Sequence, residues 1–229
     1  YTKIYKQTEG MPSLMRRYKA SAEVYRTLSD NVYDHEQLVG WPTQKIRGAN
    51  FAIELHAHWL AEDLPNLRER TYDPFDITDE DYRELEEELL PYWKDKTMAV
   101  QWGHYVSQRE WNRGQFGGVS DVSNYLCANG SHFIPAWTDV IQHGFVKYYE
   151  KAQRLLEVLD PNDPESIDKR IFYTGILEVL EAIRDWGERL SAACARRARE
   201  EKDPVRKQEL ENMAAMMKRV PWGPATSFH

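Results

Sequence analysis

Ser123, Asn124, Asn129 and His132 place a hydroxyl, two carboxamides and an imidazole within one short stretch of the chain. Such groups donate and accept hydrogen bonds without carrying a fixed charge. His132 adds a second capability. With a reference pKa near 6.5, an imidazole can hand a proton to a leaving group close to neutral pH. Pro135 follows three residues later and suits the first position of a helix. A ligand oxygen or anion would be favoured there by the helix dipole and the unpaired N–H groups. Capping of the same turn by Ser131 or His132 is the purely structural role for these residues.

Other chemistry-bearing residues are less organised. His56 and His58 lie two apart, on one side of a strand but not stacked on a helix, and no further ligand stands at a spacing that would complete a metal site. The stretch 93–118 has no steady period and carries Trp102, His104, Tyr105, Arg109, Trp111, Arg113 and Gln115 before Gly117 and Gly118. It suits a small polar ligand and a subunit contact equally. Its glycines follow neither GxGxxG nor a Walker pattern, so no nucleotide is implied. A metal-dependent lyase built on His104 and His132 would need a carboxylate–histidine cluster that the sequence does not offer.

Bulk properties narrow the classes. Thirty basic residues stand against thirty-seven acidic ones, with a formal net charge of -7. No basic stripe points to nucleic acid, and no apolar run is long enough to span a bilayer. Cys127 and Cys194 are the only cysteines, which argues against a disulfide scaffold and suits a reducing, cytoplasmic setting. Eight tryptophans and thirteen tyrosines accompany a mean hydropathy of -0.72, as in a large core or interface whose indole and phenol edges stay hydrogen-bonded. The chain begins at Tyr1 in mid-pattern, so the lack of a leader says nothing about the unprocessed protein.

The elements that must position these residues are mainly α. Phe172, Ile176, Val179, Ile183, Trp186, Leu190 and Ala193 recur in steps of four and three across 165–200, and Leu177, Leu180 and Cys194 widen that face. One helix on the order of 50 Å long is expected there, buried against more than one neighbour. Before it, 1–10 reads as a polar surface segment. Pro12 opens a helix striped by Leu14, Tyr18, Ala22, Tyr25 and Leu28. Residues 38–41 form a strand or extended passage, and 51–60 a partly buried helix closed by Pro65. Thr78 and Asp81 resemble a capping box for a helix over 79–90 that Pro91 stops, with Glu86, Glu87 and Glu88 on a solvated face. A single helix from Pro135 to about 159 is expected to bury Trp137, Val140, Ile141, Gly144, Tyr148, Ala152, Leu155 and Leu159. Asp203 caps a last helix that starts at Pro204, carries Val205, Leu210, Met213, Ala214, Met217 and Val220, and ends at Pro221.

Several of these stretches resemble the opening of a glycyl radical enzyme of the pyruvate formate-lyase-like group. Thr8-Glu9-Gly10, Pro12, Arg16-Arg17 and Leu38-Val39-Gly40 are similar to that family's first segment. His132-Phe133-Ile134-Pro135-Ala136-Trp137, then Val140-Ile141 and Gly144, resembles its GH-x-x-P-x-Tyr-x-x-VL-x-x-G signature. This chain departs from it with Ser131 before the histidine and Trp137 in place of tyrosine. Asp203-Pro204-Val205-Arg206, Glu209-Leu210, Val220-Pro221, Pro224-Ala225 and Ser227-Phe228-His229 are similar to the family's run into its next block. Each motif is weak alone, and their order across the whole chain is what makes the combination specific.

The resemblance implies that residues 1–229 are the N-terminal helical portion of a larger enzyme, the outer helical part of a ten-stranded α/β barrel. In such enzymes a partner using S-adenosylmethionine and an iron–sulfur cluster installs a radical on a C-terminal glycine. The radical passes to a cysteine, which abstracts hydrogen from a small substrate before a C–C, C–O, C–N or C–S bond breaks. Neither Cys127 nor Cys194 matches the context of that cysteine, so no catalytic residue and no bound cofactor or metal is assigned to this chain. A homodimer is expected, together with the rest of the enzyme and its activase as partners. Ser123, Asn124, Asn129 and His132 would form one wall of the substrate site. The lack of a carboxylate near Pro135 argues against a quaternary ammonium substrate. The isolated segment is expected to be inactive and poorly soluble. A helical scaffold or interaction protein without activity is the alternative.

Overall fold

The computed structural model describes residues 1–46, 48, 52–97, 100, 101, 104, 107, 109 and 134–229, with only the backbone of His56. They divide into two compact units, Tyr1–Ala49 with Pro135–His229, and Asn50–Ile134. Among the described residues the regular structure is helical, with no strand.

In the first unit the order is α1 (Thr2–Gln7), α2 (Ser13–Thr27), α6 (Trp137–His143), α7 (Val146–Glu157), α8 (Ser166–Glu200) and α9 (Pro204–Arg219). The long helix α8 lies where the 165–200 periodicity puts it, and α2, α7 and α9 all pack on it. Its buried face runs through Leu180, Ala182, Gly187, Leu190, Ala193, Cys194 and Ala198. Two glycines allow close approach. An added Cβ at Gly175 would stand 1.9 Å from Cδ2 of Tyr18 on α2, and one at Gly187 would stand 3.3 Å from the Met217 carbonyl of α9. Val32, Ala193, Cys194, Ala198, Leu210 and Met213 form one core cluster between α8, α9 and the segment after α2. Phe172, expected on the buried face, is 44% exposed.

Residues 38–41, expected as a strand or extended passage, form no strand, and the segment after α2 is irregular with a turn at Asp34 and His35; polar side chains tie it down. Arg189 donates to the Tyr25 and Leu28 carbonyls, each at 2.9 Å, and the Trp186 indole N–H donates to the Ser29 carbonyl at 2.9 Å. Arg197 donates to the Val32 carbonyl and pairs with Asp34, whose carboxyl is held below its usual range by that bond. Arg206 reaches the Tyr33 carbonyl at 3.1 Å. A stretch without ladder hydrogen bonds thus has its carbonyls satisfied by guanidinium forks.

The polar 1–10 segment exposes Lys3, Lys6, Gln7 and Glu9 as expected, and it folds as α1 with Thr2 and Thr8 buried and Arg16 donating to the Tyr5 carbonyl at 2.6 Å. The larger departure is the expected 135–159 helix. It is two helices, α6 and α7, separated by a corner at Gly144 with φ +72° and ψ 174°. That combination is open essentially to glycine alone, so the apolar period continues across a break it does not signal. Trp137 and Ile141, expected on the buried side, are 63% and 55% exposed.

In the second unit α3 (Ile53–Asp63) runs into a 3₁₀ turn at Leu64–Asn66, so α-geometry ends before Pro65 as expected. Thr78 caps α4 (Asp79–Arg83) by accepting from the Asp81 N–H at 3.1 Å. Pro91 does not stop the helical run. A π-helical stretch, Glu84–Leu89, passes directly into α5 (Leu90–Trp93) with the proline in its first turn. The wider turn before Pro91 relieves the clash with the preceding carbonyls, and a first-turn proline needs no N–H bond. Glu86, Glu87 and Glu88 are exposed, while Ile53, Ala57, Leu60, Leu64, Leu67, Leu85, Leu90 and Trp93 are buried.

Candidate functional site

Ser123, Asn124, Asn129 and His132 lie outside the described residues, as do Cys127, Trp102, Tyr105, Trp111, Arg113 and Gln115. His58, His104 and Arg109 are exposed. Cys194 is buried as a free thiol in the α8–α9 core, and burial pushes its pKa up. A buried, poorly ionised thiol is a packing residue.

The structure does fix the region into which the candidate stretch leads. α6 begins at Trp137, with Ile134, Pro135 and Ala136 non-helical, so the helix starts two residues later than Pro135 suggests. His132 therefore falls outside its first turn. Since dipole effects fade within one turn, they lend this position no support. α6 is seven residues long and buries none of its own side chains.

Polar ties from its first turn link it to α7 instead. The Asp139 carboxylate accepts from Lys147 Nζ at 2.5 Å and from the Tyr148 hydroxyl at 2.5 Å, both on α7. These bonds hold the Asp139 carboxyl below its ordinary range and raise the Tyr148 phenol above its own. His143 Nδ1 stands 3.2 Å from the same carboxylate.

On its other side the corner is clasped by the turn after α9. Phe145 N–H donates to the Pro221 carbonyl at 3.0 Å, Val146 N–H to the Trp222 carbonyl at 2.9 Å, and Ala225 N–H to the Ile141 carbonyl at 2.9 Å. A Cβ on Gly144 would sit 2.3 Å from the Trp222 oxygen and 2.5 Å from the Gly223 carbonyl carbon. The Trp222 ring packs edge-on against Tyr149 at 5.1 Å, with the Arg184 guanidinium 5.1 Å from its centroid. Tyr149 in turn donates to Glu181 on α8 at 2.7 Å.

None of these ties was anticipated from the sequence. The available signals were a glycine inside an apolar helical period and the Asp139–His143 spacing of four. The glycine, the proline and the histidine of the 132–144 motif thus have different fates. Gly144 has a steric reason in the structure, Pro135 precedes the helix instead of starting it, and His132 is not described.

Comparison with known proteins gives a consistent picture. The family model described as pyruvate formate lyase-like matches residues 1–229. The isethionate sulfite-lyase of Nitratidesulfovibrio vulgaris is 30% identical over 238 residues, which takes in 100% of this chain and 28% of that protein. A solved structure concerned with 1,2-propanediol dehydration in Roseburia inulinivorans superposes with a TM-score of 0.90 at 28% identity, covering 99% of this chain and 28% of the other. A glycyl radical enzyme from Archaeoglobus fulgidus superposes with a TM-score of 0.85 at 25% identity, over 100% of this chain and 29% of its own. The chain spans less than a third of the length of each of these relatives.

Proposed function

Since the chain belongs to the pyruvate formate lyase-like family, we propose that it is the N-terminal segment of a glycyl radical lyase that breaks a C–S or C–O bond in a small hydroxylated substrate. The observation that carries this is the match of the family over residues 1–229 together with 30% identity to an isethionate sulfite-lyase. The ten-stranded barrel, the hydrogen-abstracting cysteine and the radical glycine belong to the remaining part of the enzyme. A separate activase using S-adenosylmethionine and an iron–sulfur cluster generates the radical. The enzyme is a cytoplasmic homodimer, and the segment alone is inactive.

Ser123, Asn124, Asn129 and His132 are the substrate contacts contributed by this chain. Support for them comes from their chemistry and from the resemblance of 132–144 to the family signature. A sulfonate or hydroxyl oxygen needs donors, which the amides, the hydroxyl and the imidazole supply. Hydrogen abstraction from the hydroxyl-bearing carbon of isethionate, loss of sulfite and return of the hydrogen would give acetaldehyde. The same sequence on 1,2-propanediol, with water as the leaving group, would give propanal.

The test uses the complete polypeptide, activated without oxygen by its cognate activase. A glycyl radical signal in electron paramagnetic resonance and sulfite release from isethionate are the expected results. Propanal from 1,2-propanediol without sulfite release would move the assignment to C–O cleavage. No radical, or a radical without turnover of either compound, would refute it.

A further inference from the structure

We propose that the remainder of the same polypeptide packs on one apolar strip of the first unit, formed by Trp137 and Ile141 of α6 together with Phe228 and Leu38. The proposal rests on the reading that this chain is the N-terminal segment of a longer enzyme.

Two elements of that unit are held in place without burying anything. α6 buries none of its side chains, and residues 224–229 are all exposed. Seven helical residues are too few for backbone bonding alone to keep folded. By contrast, α2, α7 and α9 each bury side chains and pack on α8. The two exposed elements are nevertheless tied to each other and to the unit. The Ala225 N–H donates to the Ile141 carbonyl at 2.9 Å, and Nε2 of His229 stands 2.9 Å from the Gln37 carbonyl. At most about 13 Å of extended chain separates these two ties. Trp137 and Ile141, four residues apart, share one face of α6. Phe228 adjoins the second tie on one side of it and Leu38 on the other. Phe228 is fully exposed and Leu38 is 71% exposed, alongside the outward Trp137 and Ile141.

Apolar side chains scattered singly over a surface need no partner. A strip is different. Four side chains of this size leave on the order of 500 Å² bare, comparable to the largest patch of a typical monomer. That area also selects the occupant. A separate protein, a second copy included, binds stably through about 800 Å² on each partner, more than the strip offers. A part of the same polypeptide needs less, because the covalent link supplies a high effective concentration. Enough chain exists to do it, since residues 1–229 span only 28% of the isethionate sulfite-lyase they match. None of the four side chains carries a charge, so the covering segment is apolar.

The experiment uses the complete native polypeptide without activation, so it reads the packing whether or not the enzyme proves to be a lyase. Its intact mass comes first. A polypeptide that does not extend beyond residue 229 would remove the reading as a segment, and the proposal with it. Hydroxyl-radical footprinting then compares Trp137 and Phe228 in the native and the urea-unfolded protein. Both should react at least fivefold more slowly in the native state, and any smaller slowing would overturn the proposal. Photocross-linking from Phe228→p-benzoylphenylalanine identifies the occupant, with the same residue at Leu38 as an independent second site. The expected product is a cross-link within one polypeptide to a peptide beyond residue 229. A cross-linked dimer would give the strip to a second copy, and a cross-link to a peptide within 1–229 would give it to this chain itself. Either product, or no cross-link from both sites, would overturn the proposal.

Discussion

Gly175 and Gly187 sit in the same helix, and the same substitution should act on them with opposite sign. Replacing glycine by alanine inside a helix is favourable by about 1 kcal/mol from propensity, partly through the unfolded chain. At Gly187 the opposition is smaller. The new methyl would meet the Met217 carbonyl at 3.3 Å, which must give by a few tenths of an ångström, and the Val220 carbonyl at 3.6 Å and Pro221 Cδ at 3.7 Å in ordinary contact. At Gly175 it would stand 1.9 Å from Cδ2, 2.4 Å from Cγ and 2.6 Å from Cε2 of Tyr18. Carbon atoms rest about 3.5–4 Å apart. Cγ cannot swing clear without moving the whole ring, which is itself edge-on to Phe172 at 6.3 Å. Overpacking of this kind costs about 1–3 kcal/mol, and more where α2 and α8 must separate.

The net expectation is a loss of up to about 2 kcal/mol for Gly175→Ala and a gain below about 1 kcal/mol for Gly187→Ala. Native-state hydrogen exchange in the complete protein reads both locally. Amides flanking position 175 should exchange about tenfold faster in the first variant, whereas those flanking 187 should be unchanged or slower in the second. Because the two variants share one chemical change, unfolded-state effects nearly cancel in the comparison. A more stable Gly175→Ala protein would refute the close approach of Tyr18 to α8, and a less stable Gly187→Ala protein would show that the Met217 carbonyl cannot give.

Four further outcomes are expected. Asp203→Ala removes the cap that accepts from the Val205 N–H at 3.1 Å and should lower the stability of α9 by about 1 kcal/mol, seen as faster exchange in its first turn. Cys194, buried and with a raised pKa, should resist iodoacetamide at mildly alkaline pH in the native protein and react promptly once unfolded. The Asp139 carboxyl is held low by Lys147 and Tyr148, so its brace is fully present above the unfolded carboxyl pKa near 4 and is lost as pH falls through the depressed native value. Exchange of α6 amides, corrected for the intrinsic rate, should accordingly rise only on the acid side of about pH 4. His132→Gln in the activated enzyme should keep its radical and lose at least about tenfold in kcat/KM, equivalent to about 1.4 kcal/mol of transition-state stabilisation; near-normal turnover would end its assignment to the substrate.

What the sequence made legible follows from what periodicity and caps can encode. α8 was readable over its whole length because its apolar repeat is unbroken, and α4 and α9 were readable at their starts because Thr78 and Asp203 carry the cap oxygens their first turns need. Three features were not. Thr2 and Thr8 are buried in a segment too short and polar to show a stripe. Pro91 is tolerated because a π-helical stretch precedes it, which composition does not announce. The 28–37 segment is held by Arg189, Arg197 and Arg206, which stand at or beside the apolar spacing of α8 and α9 but whose charge gives no sign of a buried partner.

The corner at Gly144 shows most clearly why a local pattern can mislead where function is concerned. From Trp137 to Leu155 the apolar spacing reads as one helix, yet Trp137 and Ile141 in its first half are exposed while Ala152 in its second is buried. The break comes from contacts remote in sequence. The carbonyls of Pro221 and Trp222 take the N–H groups of Phe145 and Val146, and the Trp222 oxygen occupies the space a Cβ would need. Only the residue type at 144 leaves a trace in the chain, and a lone glycine in a helical period has many explanations. The order of histidine, proline and glycine in 132–144 suggested the family without explaining the spacing. The structure supplies a physical reason for its last member: the glycine lets the turn after α9 close on the helix pair, which joins the end of this chain to the helix leading away from the candidate substrate residues. A side chain at that position would open the joint, and the family likeness of 220–225 and of 132–144 would then describe two segments that no longer meet.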